Sequence, residues 1–165
     1  MLVTDTSALI SLAAGSVLSE TVTEFDLATT ATVRSELTQT AEYDDRHGEA
    51  ATTVLQHQDK IKTIETGGEQ FVTSRIDTGE ASCVALARAV KTDFFVTDDF
   101  RALPEIEVVV EAEAVLSPFL VRALADRGVL SRATAQTAFD TILEDRDWID
   151  APIYQYAQTL FDGDD

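Results

Sequence analysis

Short apolar runs that stop abruptly on an acid recur along this chain, and they restrict what it can fold into. Leu2-Val3-Thr4 ends on Asp5, and Phe94-Phe95-Val96-Thr97 ends on Asp98-Asp99. A strand buried on both faces shows no polar alternation, so a brief continuous apolar run is its signature. Between these runs the apolar residues recur at helical spacing. Strands alternating with helices specify an α/β domain of three layers, a small parallel sheet flanked by helices.

Leu2–Thr4 reads as the first strand, with Thr6 and Ser7 placed to cap a helix through Ala8, Leu9, Ile10, Leu12 and Ala13 that Gly15 stops. Val17, Leu18, Val22 and Phe25 form a second amphipathic stretch. Residues 27–31 predict a strand, and Thr32 a cap for a helix carrying Val33, Glu36 and Leu37. The more polar residues 41–58 read as a surface helix on the spacing of Ala50, Val54 and Leu55. Ile61–Ile64 predicts a strand closed by Gly67-Gly68, followed by a helix from Gly79 or Glu80 to about Val90. Residues 93–96 predict another buried strand and residues 108–110 the last one. From Ser117 the pattern is wholly helical, in segments 118–126, 134–144 and 152–161 punctuated by Gly128 and Asp150. The expected organisation is one domain over residues 1–165, an α/β core at 1–115 and a helical C-terminal extension at 116–165.

Charge narrows the function. Thirty Asp and Glu against twelve Lys and Arg give a net charge of −18, which excludes the usual basic footprint of a nucleic-acid-binding protein at ordinary salt. It does not exclude a nucleic-acid enzyme, because a metal site needs acids. There are nine Arg but only Lys60, Lys62 and Lys91, and the acids are spread along the chain. This balance suggests adaptation to a molar-salt cytoplasm, as in haloarchaea, where a Debye length of roughly 3 Å screens self-repulsion. A single cysteine excludes an internal disulfide, and two distant histidines argue against zinc. No apolar run approaches a membrane span, and Asp5 interrupts the N-terminus where a secretory signal would be apolar, so the expected location is the cytoplasm.

In an open parallel sheet, ligands bind outside the carboxyl ends of the strands. Asp5 ends the first strand, Asp98 and Asp99 end a later one, and Glu80 opens a helix after Asp77-Thr78-Gly79. Glu36 lies on the apolar stripe of its helix, three residues from Val33. Buried carboxylates need compensation, and a hard divalent cation such as Mg²⁺ or Mn²⁺ supplies it through oxygen ligands. Taken singly each acid has a plainer reading: a helix entry for Asp5, an ion pair for Glu36, a dipole partner for Glu80, a turn for Asp98-Asp99, and a cap for Asp77. Their shared position carries the functional reading. Cys83 reads as a small core residue, His47 and His57 as solvated, and Trp148, Tyr154 and Tyr156 as packing or interface aromatics. No phosphate-cradling glycine loop is present.

Leu2-Val3-Thr4-Asp5-Thr6-Ser7-Ala8-Leu9-Ile10, Val33-Arg34-Ser35-Glu36-Leu37, Gly79-Glu80-Ala81 with Val84-Ala85-Leu86-Ala87, and Phe95-Val96-Thr97-Asp98-Asp99 together resemble a PIN domain. They are similar to the branch of VapC-type toxins. Leu116-Ser117-Pro118-Phe119-Leu120 and Gly128-Val129-Leu130 resemble the tail of relatives with a Gly-Glu third motif. The resemblance implies an Mg²⁺- or Mn²⁺-dependent ribonuclease in which Asp5, Glu36, Glu80 and Asp99 are catalytic and hold the metal. Asp98 stands as neighbour or substitute of Asp99. Ser7 matches the small hydroxyl residue that orients the first acid, and Thr97 belongs to the Thr-x-Asp motif. The basic rim is thin, leaving Arg75, Arg88 and Arg101 as candidate RNA contacts.

The first functional reading is an endoribonuclease that cleaves single-stranded RNA by metal-activated water, leaving a 5′-phosphate and a 3′-hydroxyl. Its expected role is the toxin of a type II toxin–antitoxin pair, silenced by a small antitoxin, or an RNA-processing enzyme. The helical tail and its aromatics suggest a homodimer, and no membrane partner is expected. The alternative is a non-catalytic PIN-like scaffold that binds RNA or protein. A phosphotransfer domain would need a lysine at a later strand end, and Lys91 precedes its strand.

Overall fold

A computed structural model describes residues 1–67 and 73–162, so Gly68 of the expected turn lies outside the described residues. Five short strands form one sheet: β1 (Leu2–Thr4), β2 (Leu27–Thr30), β3 (Ile61–Ile64), β4 (Phe94–Val96) and β5 (Glu113–Val115). The order is β3-β2-β1-β4-β5, and every pairing is parallel. Leu2 of β1 sits opposite both Leu27 and Phe94, which makes β1 the central strand. The chain builds outward from β1 to β3, then returns to lay β4 on the other side of β1. The strand order therefore reverses between β1 and β4, where a parallel sheet leaves a crevice at its carboxyl end.

Nine helices flank the sheet among the described residues: α1 (Thr6–Ala14), α2 (Leu18–Glu24), α3 (Ala31–Thr40), α4 (Arg46–Gln56), α5 (Thr78–Ala89), α6 (Leu103–Val109), α7 (Ser117–Asp126), α8 (Arg132–Asp145) and α9 (Pro152–Thr159). The architecture is the expected three-layer α/β fold. The caps differ from the sequence reading. Asp5, not Thr6 or Ser7, caps α1 by accepting from the Ala8 N–H, and Thr30, not Thr32, caps α3 by accepting from Val33. In both cases the side chain at the strand's end turns back onto the helix, so strand and helix meet with no linker. Asp45 and Asp77 cap α4 and α5.

Two further expectations are corrected. Residues 108–110 are not the last strand. Pro104 opens α6 in its first turn, Leu103 and Ile106 face the core at helical spacing, and Val108 points outward at 83% exposure. The last strand is β5, whose short Glu113-Ala114-Val115 run at the sheet edge is hidden in an acidic stretch. α4 is more than a surface helix, because Ala50, Ala51 and Val54 are buried and it packs on α1 and α3.

The helical segments that follow β5 pack on earlier helices. α7 packs on α1 and α2, and α8 on α1 and α7. A Cβ on Gly15, just past α1, would lie 2.9 Å from Ile142 of α8, so the two helices approach through the missing side chain. Gly128 and Asp150 take left-handed backbone (φ 73° and 65°) at the punctuation points. Cys83 and Trp148 are buried, and the Phe139 and Phe161 rings stack at 4.5 Å. No described helix is long and apolar enough to cross a membrane.

Candidate functional site

An open cavity of about 440 Å³ has Asp5, Thr6 and Ser7 from the end of β1 and the start of α1 in its wall. Glu36, Gln39 and Thr40 of α3, Tyr43 after it, Asp77 and Glu80 at the start of α5, and Arg146 after α8 complete its polar lining. Three of the acids singled out in the sequence, Asp5, Glu36 and Glu80, thus meet in one cavity from three separate segments.

Asp5 is buried and holds three donors. Ser7 Oγ (2.8 Å) and the Ala8 N–H (3.0 Å) reach Oδ1, and Thr97 Oγ1 (2.5 Å) reaches Oδ2. The same two hydroxyls accept backbone N–H groups from the loop after β4: Ser7 Oγ from Asp98 (2.9 Å) and Thr97 Oγ1 from Asp99 (3.1 Å). Ser7 and Thr97 therefore fix Asp5 against the end of β4. Burial pushes the Asp5 carboxyl up to about 7, outweighing the hydrogen bonds that favour its anion.

Glu36 accepts from the Thr6 hydroxyl, and its carboxylate rests on Gly79: a Cβ there would lie 2.3 Å from Oε1. Partial burial raises its pKa, and the nearby Asp77 charge adds to the rise. Glu80 sits in a reciprocal cap, accepting the Asp77 N–H at 3.0 Å while its own N–H donates to Asp77 Oδ1 at 2.8 Å. Its carboxyl is pushed up to about 8, first by burial and then by the charges of Asp5, Asp77 and Asp99.

The remaining sequence-selected residues divide. Asp99 does not line the cavity, but its charge reaches Glu80; its Oδ1 accepts the Arg101 N–H at 3.0 Å. Asp98 is buried and faces away, both oxygens taken by the Ser117 N–H and hydroxyl at 2.7 Å each, where it supports the start of α7. Arg101 lies 3.8 Å from Asp99 and Arg75 lies 3.9 Å from Glu105, while Arg88 lines a separate groove with Lys91. His47 is exposed, and His57 is half-buried with Nδ1 2.9 Å from the Thr53 carbonyl. Sequence reasoning missed Tyr43 and Arg146 altogether, and it gave Thr6 and Gly79 no role toward Glu36. The one available signal was Gly79 itself, an unfavourable residue in a helix's first turn.

The cavity's acids are all carboxylate oxygen donors, with no thiol or imidazole among them, a set suited to Mg²⁺ or Mn²⁺. The raised pKa values mark negative charge short of compensation, which a dication would provide. Among the described residues no group of three or more His, Cys, Asp or Glu stands ready to hold an ion. Asp5, Glu36 and Glu80 are instead each drawn back onto a hydroxyl or amide donor. Residues 1–161 match the model of a protein family described as DUF3368: PIN domain. No curated protein and no solved structure matches the chain.

Proposed function

The chain belongs to the PIN-domain family, and on that premise we propose that the carboxylate cavity is the active site of a divalent-metal-dependent endoribonuclease acting on single-stranded RNA. The observation that carries this is the meeting of Asp5, Glu36 and Glu80 in one cavity, with their carboxyls held above the ordinary range. PIN domains are in general metal-dependent nucleases. Asp5, Glu36, Glu80 and Asp99 are the residues that would hold Mg²⁺ or Mn²⁺. When bound, the ion supplies charge neutralisation at the phosphodiester and activation of the attacking water.

The chain's own residues prepare that site. Thr97 and Ser7 hold both oxygens of Asp5, so the carboxylate is oriented before anything binds. Thr6 and the bare backbone of Gly79 place Glu36, and the Asp77 N–H places Glu80. Asp98 acts at one remove, anchoring the loop that carries Asp99 to α7. The cellular role we propose is that of a toxin silenced by a small antitoxin protein, working in the cytoplasm at high salt.

A second reading, a scaffold that binds RNA or protein without cutting, is favoured by the absence among the described residues of a ready-made three-acid cluster. One assay separates the two. Purified protein, checked for a bound small partner, is incubated with single-stranded RNA at molar KCl with Mg²⁺, Mn²⁺ or EDTA, beside a folded Asp5→Asn control. The nuclease reading predicts cleavage that needs the cation and is lost in the control. Equal degradation by both proteins, or binding without cleavage, overturns it.

A further inference from the structure

Resting on the nuclease reading, we propose that Tyr43 and Arg146 are the substrate-holding side of the carboxylate cavity. Tyr43 stacks on an unpaired base, Arg146 binds the phosphate beside it, and the pair selects single-stranded over duplex RNA.

A divalent ion would offset the carboxylates at the reacting phosphodiester, but the neighbouring phosphates of the strand still meet an acidic wall unless a cation of the protein receives them. Among the described residues, Arg146 is the only Lys or Arg in the cavity's lining. The guanidinium makes no ion pair among the described residues, although its charge reaches the buried Asp98. Its backbone is fixed: the Arg146 N–H closes α8 on the Ile142 carbonyl at 2.9 Å, and Ile142 is the residue packed into the Gly15 gap of α1. The other arginines at or near the motifs do not line the cavity: Arg34 donates to Thr63 and Gln58, Arg75 lies against Glu105, Arg88 lines another groove, and Arg101 lies against Asp99 outside the lining. Arg146 is thus the guanidinium this cavity offers to a phosphate.

Tyr43 is 67% exposed in the same wall, with no ring stacked on it among the described residues. The turn beneath it is fastened. The Tyr43 N–H donates to the Thr40 carbonyl at 3.1 Å and the Glu42 N–H to Gln39 at 3.2 Å. Gly48 of α4 fits under the turn only because it lacks a side chain; a Cβ would lie 1.9 Å from the Tyr43 carbonyl oxygen. A ring held out on a rigid turn loses little entropy when a base stacks on it. Every base has a face to offer, so the contact tolerates sequence, whereas in a duplex those faces are covered by neighbouring bases.

The test is fluorescence anisotropy with a short fluorescein-labelled oligoadenylate RNA, using the full chain carrying Asp5→Asn to stop turnover. Tyr43→Ala raises Kd roughly five- to a hundredfold, and Tyr43→Phe, which keeps the ring, restores binding. Arg146→Gln weakens binding and lowers the dependence of log Kd on log salt by about one. A duplex of the same strand binds more weakly and does not respond to Tyr43→Ala. In the otherwise unaltered enzyme the same substitutions raise KM and leave kcat within about twofold, a split that mere damage to the fold would not produce. Parent-like binding by Tyr43→Ala and Arg146→Gln, or equal binding of duplex and single strand, overturns this proposal. Cation-dependent cleavage by the wild type would still stand in that case, so the two readings fail separately.

Discussion

Gly79→Ala should leave the protein folded and cripple the site. Gly79 lies in the first turn of α5, and its added Cβ would fall 2.3 Å from Glu36 Oε1 and 2.4 Å from Oε2, where ordinary contact begins near 3.4 Å. The carboxylate must therefore retreat by about 1 Å. Because it is the far end of a flexible side chain, α3 and α5 need not move. Glu36 gives up its bond from the Gly79 N–H and its seat beside Thr6, while the open cavity lets water replace them. The helix gains up to about 1 kcal/mol from losing a glycine, so the net stability change should stay within about 1 kcal/mol. For a chain of this size that is a melting shift of roughly 2–4 °C at most. Displacement of a positioning carboxylate by about 1 Å costs on the order of a hundredfold in rate. Thermal melts and single-turnover RNA cleavage with Mg²⁺ read the two effects apart, and Gly79→Ala should add nothing to the loss already caused by Glu36→Ala. Near wild-type cleavage by Gly79→Ala would show that the seat of Glu36 does not matter. A loss of more than about 3 kcal/mol would show that the close approach supports the fold instead.

Two further outcomes follow from the same geometry. The Asp5 carboxyl rises from 3.8 to about 7, so the folded state keeps a proton that the unfolded chain has released, and stability of the metal-free protein falls as pH rises through that window. The rise of about three units is worth on the order of 4 kcal/mol, and Glu80 adds in the same direction up to about pH 8. Urea melts from about pH 5 to about pH 8 should show this slope, and both Mg²⁺ and Asp5→Asn should flatten it; an unchanged slope in Asp5→Asn contradicts the assignment. Asp98→Ala leaves the buried Ser117 N–H and hydroxyl without their acceptor and should cost roughly 1–3 kcal/mol while keeping most of the melting shift caused by Mg²⁺, since it touches the metal holders only through the loop of Asp99. Asp99→Asn should do the reverse, and the opposite pattern in thermal melts would exchange their roles.

What the sequence made legible is what local physics controls. β1 and β4 are short, largely apolar runs because they lie inside the sheet, and they lead into Asp5 and Asp98-Asp99 because the switch point lies between them, whereas β2 is Leu-Ala-Thr-Thr and ends on the Thr30 cap. β5 escaped because an edge strand of Glu-Ala-Val needs little apolar surface, and α6 was misread because Val108-Val109-Val110 imitates a strand while Leu103 and Ile106 set its actual face. The shifted caps, Asp5 for Thr6 and Thr30 for Thr32, reflect strands that pass straight into helices. In the site, Asp5, Glu36 and Glu80 could be found from their positions along the chain. Tyr43 and Arg146 could not, since the first depends on a turn clasped by Gly48 and the second on α8 settling against α1. Asp98 and Asp99 are adjacent and chemically alike, and only the direction of each side chain tells them apart.

The central claim is that the cavity of Asp5, Glu36 and Glu80 is built to hold a divalent cation. Crystals grown with MnCl₂ and measured at the manganese edge locate that ion directly. The account predicts an anomalous peak about 2.0–2.6 Å from an Asp5 carboxyl oxygen and from at least one of Glu36, Glu80 and Asp99, absent from Asp5→Asn crystals. A peak only on the outer surface, or the same peak in Asp5→Asn crystals, would contradict it.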